Sequence, residues 1–193
     1  MPAAARRITR EDIVSDADFA PRRRERRAAL APTKRLRRIP LGPFCTLYFE
    51  CFETMLFQVQ EMLLTEKGGE AQVADELAAY NPLIPQGREL VATVMFEIED
   101  AARRDAVLRT LGGVDGDFFL DIGSRRVAGA PEGDVERTRD DGKTSAVHFL
   151  RFPFSEEDAD AFKQPQARVV IGCDHPHYGH LAVIGESSRN ELA

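Results

Sequence analysis

All four histidines of the chain lie in its last third, at His148, His175, His177 and His180. Three of them share one run, Cys173-Asp174-His175-Pro176-His177-Tyr178-Gly179-His180. Imidazoles beside a carboxylate are donor types that transition metals take, so the run is a candidate site for a metal such as iron, zinc or manganese, or for a small ligand. Its spacing matches no named metal motif, and Pro176 asks for an extended turn rather than two ligands on one helix face. Glu61, set among Met55, Leu56, Phe57, Val59, Met62, Leu63 and Leu64, is a second candidate, as carboxylate ligand or proton acceptor. The competing reading has Glu61 cap a strand backbone or pair with an arginine of the basic N-terminal segment, and Gln58 and Gln60 beside it also need partners if buried.

Other chemistries lack their residues. GxGxxG, P-loop, HExxH and GxSxG patterns are all missing from the sequence. Cys45, Cys51 and Cys173 form no CxxC pair and no iron–sulfur or zinc spacing, and nothing marks any of them as an activated thiol. An odd number of cysteines without disulfide spacing fits a reducing cytoplasm.

The elements that must position these residues follow from periodicity. Residues 11–36 are helix-biased but interrupted at Pro21 and Pro32, with Thr9-Arg10-Glu11-Asp12 resembling an N-cap box. A strand over 44–52, a helix over 54–66 and a second helix over 70–79 come next. The remainder reads as strand 90–98, helix 100–111, a hairpin of 118–122 and 125–128 across Gly123-Ser124, a charged loop 129–143, strand 145–154, helix 155–163 and strand 167–173. Simplified, that order is β-α-β-β-α-β. It predicts an α+β fold with a ferredoxin-like (split βαβ) antiparallel sheet and helices on one face. Taking the third and fourth strands as antiparallel, His148 opens the third and His175 follows the fourth, which places both at one end of the sheet. Tyr178 and Asp174 would stand beside them.

At 193 residues, 43% apolar and 30% charged, the chain is long enough for one well-cored domain. No stretch approaches the roughly 20 uncharged apolar residues of a spanning helix, and the N-terminus has no apolar signal-like core. The net charge of −6 conceals an asymmetry: residues 1–40 carry 12 Lys/Arg against 5 Asp/Glu. We therefore expect a basic helical arm over 1–40 and a single α+β domain over 41–193. Arg22, Arg23, Arg24, Arg26, Arg27, Arg35, Arg37 and Arg38 are the candidate docking residues of that arm. Nucleic acid is a poor partner, because the rest of the chain is acidic and no nucleic-acid fold signature follows the arm. An acidic partner or a second copy fits better.

Several segments, taken together, resemble the uncharacterised bacterial family DUF3501. They are ITREDI near the N-terminus, Leu41-Gly42-Pro43 leading into 46–50, Gln58-Val59-Gln60-Glu61-Met62-Leu63, Tyr80-Asn81-Pro82-Leu83-Ile84-Pro85, Lys143-Thr144-Ser145-Ala146-Val147-His148-Phe149-Leu150-Arg151-Phe152 and Asp174-His175-Pro176-x-Tyr178. His177 and His180 fall outside that pattern, so the resemblance centres the candidate site on Glu61, His148, Asp174, His175 and Tyr178. It further implies a cytoplasmic redox or peroxide-stress setting, with rubrerythrin-like di-iron proteins or iron–sulfur oxidoreductases as partners. Whether such a chain turns over a substrate is left open by its residues.

Overall fold

The computed structural model describes residues 6–132, 137–139 and 141–193, so part of the charged loop expected over 129–143 lies outside the described residues. The chain divides into two compact units, one of Met1–Arg35 with Glu50–Gly87 and the other of Leu36–Phe49 with Arg88–Ala193. Residues 50–87 fold with the N-terminal segment.

In the first unit, a short 3-10 turn at Arg10–Asp12 precedes α1 (Asp16–Leu36). Helix α1 runs on through both Pro21 and Pro32, where the sequence suggested breaks. The two prolines are eleven positions apart, about three helical turns, so they share one face, and both are exposed. On that face, water can take the carbonyls that the missing N–H groups leave free. Phe19 is the buried residue of α1 and packs on Phe57, with ring centroids 5.8 Å apart. Helices α2 (Phe52–Glu66) and α3 (Gly69–Tyr80) pack together. Met55, Val59 and Leu63, at i, i+4 and i+8, supply the buried stripe of α2.

The second unit holds all the strands found among the described residues. One antiparallel sheet has the order β1 (Arg38–Leu41), β2 (Cys45–Phe49), β3 (Glu89–Phe96), β7 (Val147–Pro153), β6 (Ala130–Pro131). The other is β5 (Arg125–Ala128), β4 (Phe118–Ile122), β8 (Val169–Cys173), β9 (His180–Val183). Inward residues of both, among them Leu47, Val94, Phe152, Leu120 and Ile171, form one core, so the sheets face each other across it. The α+β class holds. The four strands expected in a single split βαβ sheet are instead shared between two: β3 and β7 pair in one, β4 and β8 in the other.

A corner explains the division. After β5, the chain turns at Gly129, whose N–H bonds to the Phe118 carbonyl at 2.8 Å, and then joins β7 of the opposite sheet. A Cβ at Gly129 would sit 2.9 Å from the Phe152 ring and 3.1 Å from the Phe118 carbonyl oxygen, so the corner admits no side chain. Helices α4 (Ala101–Thr110), α5 (Glu156–Lys163) and α6 (Glu186–Leu192) complete the unit. Buried Arg189 donates to the Phe162 and Pro165 carbonyls (3.2 and 2.8 Å), which ties α6 to the end of α5.

Candidate functional site

Strand alternation turns His148, Leu150 and Phe152 of β7 inward. His148 is 0% exposed and meets Phe96 edge-on at 6.0 Å. Its Nε2 lies 2.8 Å from the Ser145 carbonyl, which only accepts, so Nε2 carries the proton. That leaves Nδ1 as a bare lone pair, buried and without a hydrogen bond, facing Asp115 Oδ2 at 3.8 Å. Burial is the largest influence on this imidazole and lowers its pKa. The Asp115 carboxylate and the Ser145 carbonyl oppose that, and Arg137 reinforces it. The folded protein thus holds His148 neutral.

The run after β8 is a turn closed on itself and on its surroundings. Tyr178 N–H donates to the His175 carbonyl (2.8 Å) and His177 N–H to His175 Nδ1 (3.2 Å), while Nε2 lies 3.4 Å from the Gly112 carbonyl. Both nitrogens of His175 therefore face main chain. The Tyr178 hydroxyl donates to the Leu41 carbonyl (2.6 Å) and accepts from Cys45 N–H (3.0 Å), clamping the Gly42 turn between β1 and β2. Burial pushes this phenol up to about 12. Gly42 has φ +68°, and a Cβ there would lie 2.8 Å from the Tyr178 oxygen and 2.5 Å from the His180 ring. Only glycine meets both demands. The His180 ring lies tilted against Tyr178, with centroids 4.3 Å apart, and its Nδ1 is buried without a hydrogen bond.

The remaining candidates are already engaged. Asp174 pairs with Arg126 at 2.8 Å, and that guanidinium also holds Asp121 and lies 3.5 Å over the Phe119 ring. Glu61 sits in the first unit and takes both nitrogens of a bidentate Arg23 fork at 2.7 Å, the arginine-partner reading of the sequence. All three cysteines are buried and form no disulfide. Burial raises the Cys173 thiol to about 11 and Cys45 further still, so neither offers a ready thiolate.

These positions do not fit the metal expected of them. His148 Nδ1 and Asp115 make two facing donors, one fewer than the three protein ligands of an ordinary catalytic zinc. His175 is committed to main chain and Asp174 to Arg126. Among the described residues, no group of three or more His, Cys, Asp or Glu side chains is arranged to hold a metal ion. Asp115 carried no sequence signal, lying in a glycine-flanked turn that only the fold brings to His148.

The basic arm divides in two. Arg23 holds Glu61, Arg26 lies over Phe19 at 5.7 Å, Arg37 pairs with Glu191 at 2.9 Å, and Arg38 with Glu97 at 3.4 Å. Among the described residues, Arg22, Arg24, Arg27, Lys34 and Arg35 are exposed on α1 with no ion pair. No helix among the described residues is long and apolar enough to cross a membrane.

The chain belongs to the DUF3501 family, described as protein of unknown function, whose profile matches residues 7–193. A solved structure similar to it is the crystal structure of a novel protein of unknown function from Burkholderia pseudomallei K96243. That protein is 36% identical, the match covers 96% of each chain, and the TM-score is 0.88. No curated protein matches. Two pairs of the segments that carry the family resemblance meet in the fold: Leu41-Gly42-Pro43 with Tyr178, and ITREDI with Asn81.

Proposed function

We propose that this protein is an accessory, docking component that engages an acidic protein surface through helix α1. The observation that carries the reading is the set of five exposed cations, Arg22, Arg24, Arg27, Lys34 and Arg35, without ion pairs on a 21-residue helix, about 32 Å long at 1.5 Å per residue. A helix that is polar around most of its circumference draws little stability from burial and is suited to a partner of opposite charge. Two copies of α1 would set cations against cations, which favours a heterologous partner over self-association. We take that partner to be a rubrerythrin-like di-iron protein or an iron–sulfur oxidoreductase, the classes that the resemblance of the sequence implies. Three buried cysteines without a disulfide suit a reducing compartment.

The test uses the purified full chain and those two partners, with affinity measured by calorimetry at several salt concentrations. Charge reversal at Arg22, Arg24 and Arg27 together is expected to weaken binding at least tenfold and to flatten its salt dependence. Equal affinity in wild type and variant would overturn the reading.

A second reading rests on His148 Nδ1. A small ligand donating an N–H or O–H would satisfy that lone pair beside Asp115, with His175 at the neighbouring 112–116 turn. Its mark would be a change in the His148 15N shift on ligand addition, lost in Asp115→Asn. A shift that no small-molecule mixture moves would count against it.

A further inference from the structure

In the first unit, the segment leading to α1 is held largely by its backbone. Asn81 accepts from Ile8 N–H (2.7 Å) and donates to the Ile8 carbonyl (3.0 Å). Gln60, itself 1% exposed, accepts from Val14 N–H (2.9 Å) and donates to the Val14 carbonyl (3.2 Å). Gln86 donates to the Arg6 carbonyl at 2.7 Å. Three side-chain amides thus hold the main chain on either side of the Arg10–Asp12 turn. Side chains add a pattern: Ile8 and Ile13 are buried, and Arg10 makes a bidentate pair with Glu70 (2.6 and 2.7 Å). Thr9, Arg10 and Glu11 are otherwise exposed.

We propose that α2, α3 and the turn after them form a peptide-recognition groove, occupied in cis by residues 6–14. Its other occupant is a segment of a partner protein that makes the same turn, with an apolar residue, a basic residue two positions on, and an apolar pair at the sixth and seventh positions. Amide pairs that bond only to main chain are indifferent to the residue they hold, so the pattern and not the identity of the segment sets recognition. The tethered segment competes at an effective concentration of order mM, which keeps the groove closed to weak ligands until the segment is released. This inference is independent of docking through α1.

The probe is a fluorescent peptide of residues 6–15, titrated by anisotropy into three full-length proteins. Ile8→Asp puts a carboxylate where Ile8 is buried and is expected to free the groove. That variant should bind the peptide one-to-one, at least tenfold tighter than wild type. Adding Gln60→Ala and Asn81→Ala to it should abolish binding. A folded Ile8→Asp protein with no affinity for the peptide would overturn the proposal. If Ile8→Asp does not fold, hydrogen exchange in wild type decides. Excess peptide should speed exchange at the Ile8 and Val14 amides and leave Val59 unchanged, whereas exchange at Ile8 and Val14 that the peptide does not alter would make the segment a fixed part of the fold.

Discussion

Acidification should destabilise the fold through His148. The imidazole is wholly buried, donates from Nε2 to the Ser145 carbonyl, and presents a bare Nδ1 to Asp115 at 3.8 Å. Burial lowers its pKa below the ordinary value of 6.5, so the unfolded chain takes up this proton first. The contribution is fully present above that value and is lost as pH falls from it toward the folded pKa. Within that window the slope cannot exceed about 1.4 kcal/mol per pH unit, so a drop from pH 7.5 to 5.5 costs at most about 1.4 kcal/mol. For a chain of this length that is roughly 3–5 °C in Tm. The assay is denaturant unfolding at stepped pH for wild type and His148→Gln. Glutamine preserves an N–H for the Ser145 carbonyl and does not titrate, so subtracting the two curves removes the other histidines and the carboxylates. A difference that stays flat from pH 7.5 to 5.5 would refute the reasoning, because it would mean that the ring reaches water or that Asp115 stabilises its cation fully.

Three further outcomes follow from the same geometry. Tyr178→Phe keeps the ring but strands the Leu41 carbonyl and the Cys45 N–H, at a cost of about 2–3 kcal/mol measured by urea unfolding. A loss under 0.5 kcal/mol would mean that water replaces the hydroxyl. Elemental analysis of untagged protein purified without chelator should give no stoichiometric iron, zinc or manganese; one equivalent that disappears in His148→Ala/His175→Ala would reinstate a metal centre. The three buried thiols should react with a chromogenic disulfide only at the rate of unfolding, and rapid labelling of any one in native protein would contradict its burial.

Local chemistry was legible in the sequence wherever it depended on neighbours in the chain. Gly123-Ser124 between two alternating runs gives the β4–β5 hairpin, and Ser155 with Asp158 caps α5. What escaped depended on distant partners. Strand β1 contains Pro40, which argues against a strand until its place at a sheet edge is known. Strand β9 and helix α6 lie beyond the last strand the pattern suggested. The order of elements matched a split βαβ sheet, but order does not decide pairing; the Gly129 corner sends β5 and β6 to different sheets. The histidine run stood out as a polar cluster, yet its role came from main-chain groups far away. Tyr178 bonds to Leu41, 137 positions earlier. Gln60 was recognisable as a polar residue needing a partner, and only the fold names Val14 as that partner.

Docking through α1 is tested most directly by hydrogen exchange of the full chain with and without its acidic partner. The account predicts protection concentrated over residues 22–35 and little change at the 112–116 and 174–180 turns. Protection at those turns with α1 unaffected would contradict it and move the functional surface to the His148 end of the sheets.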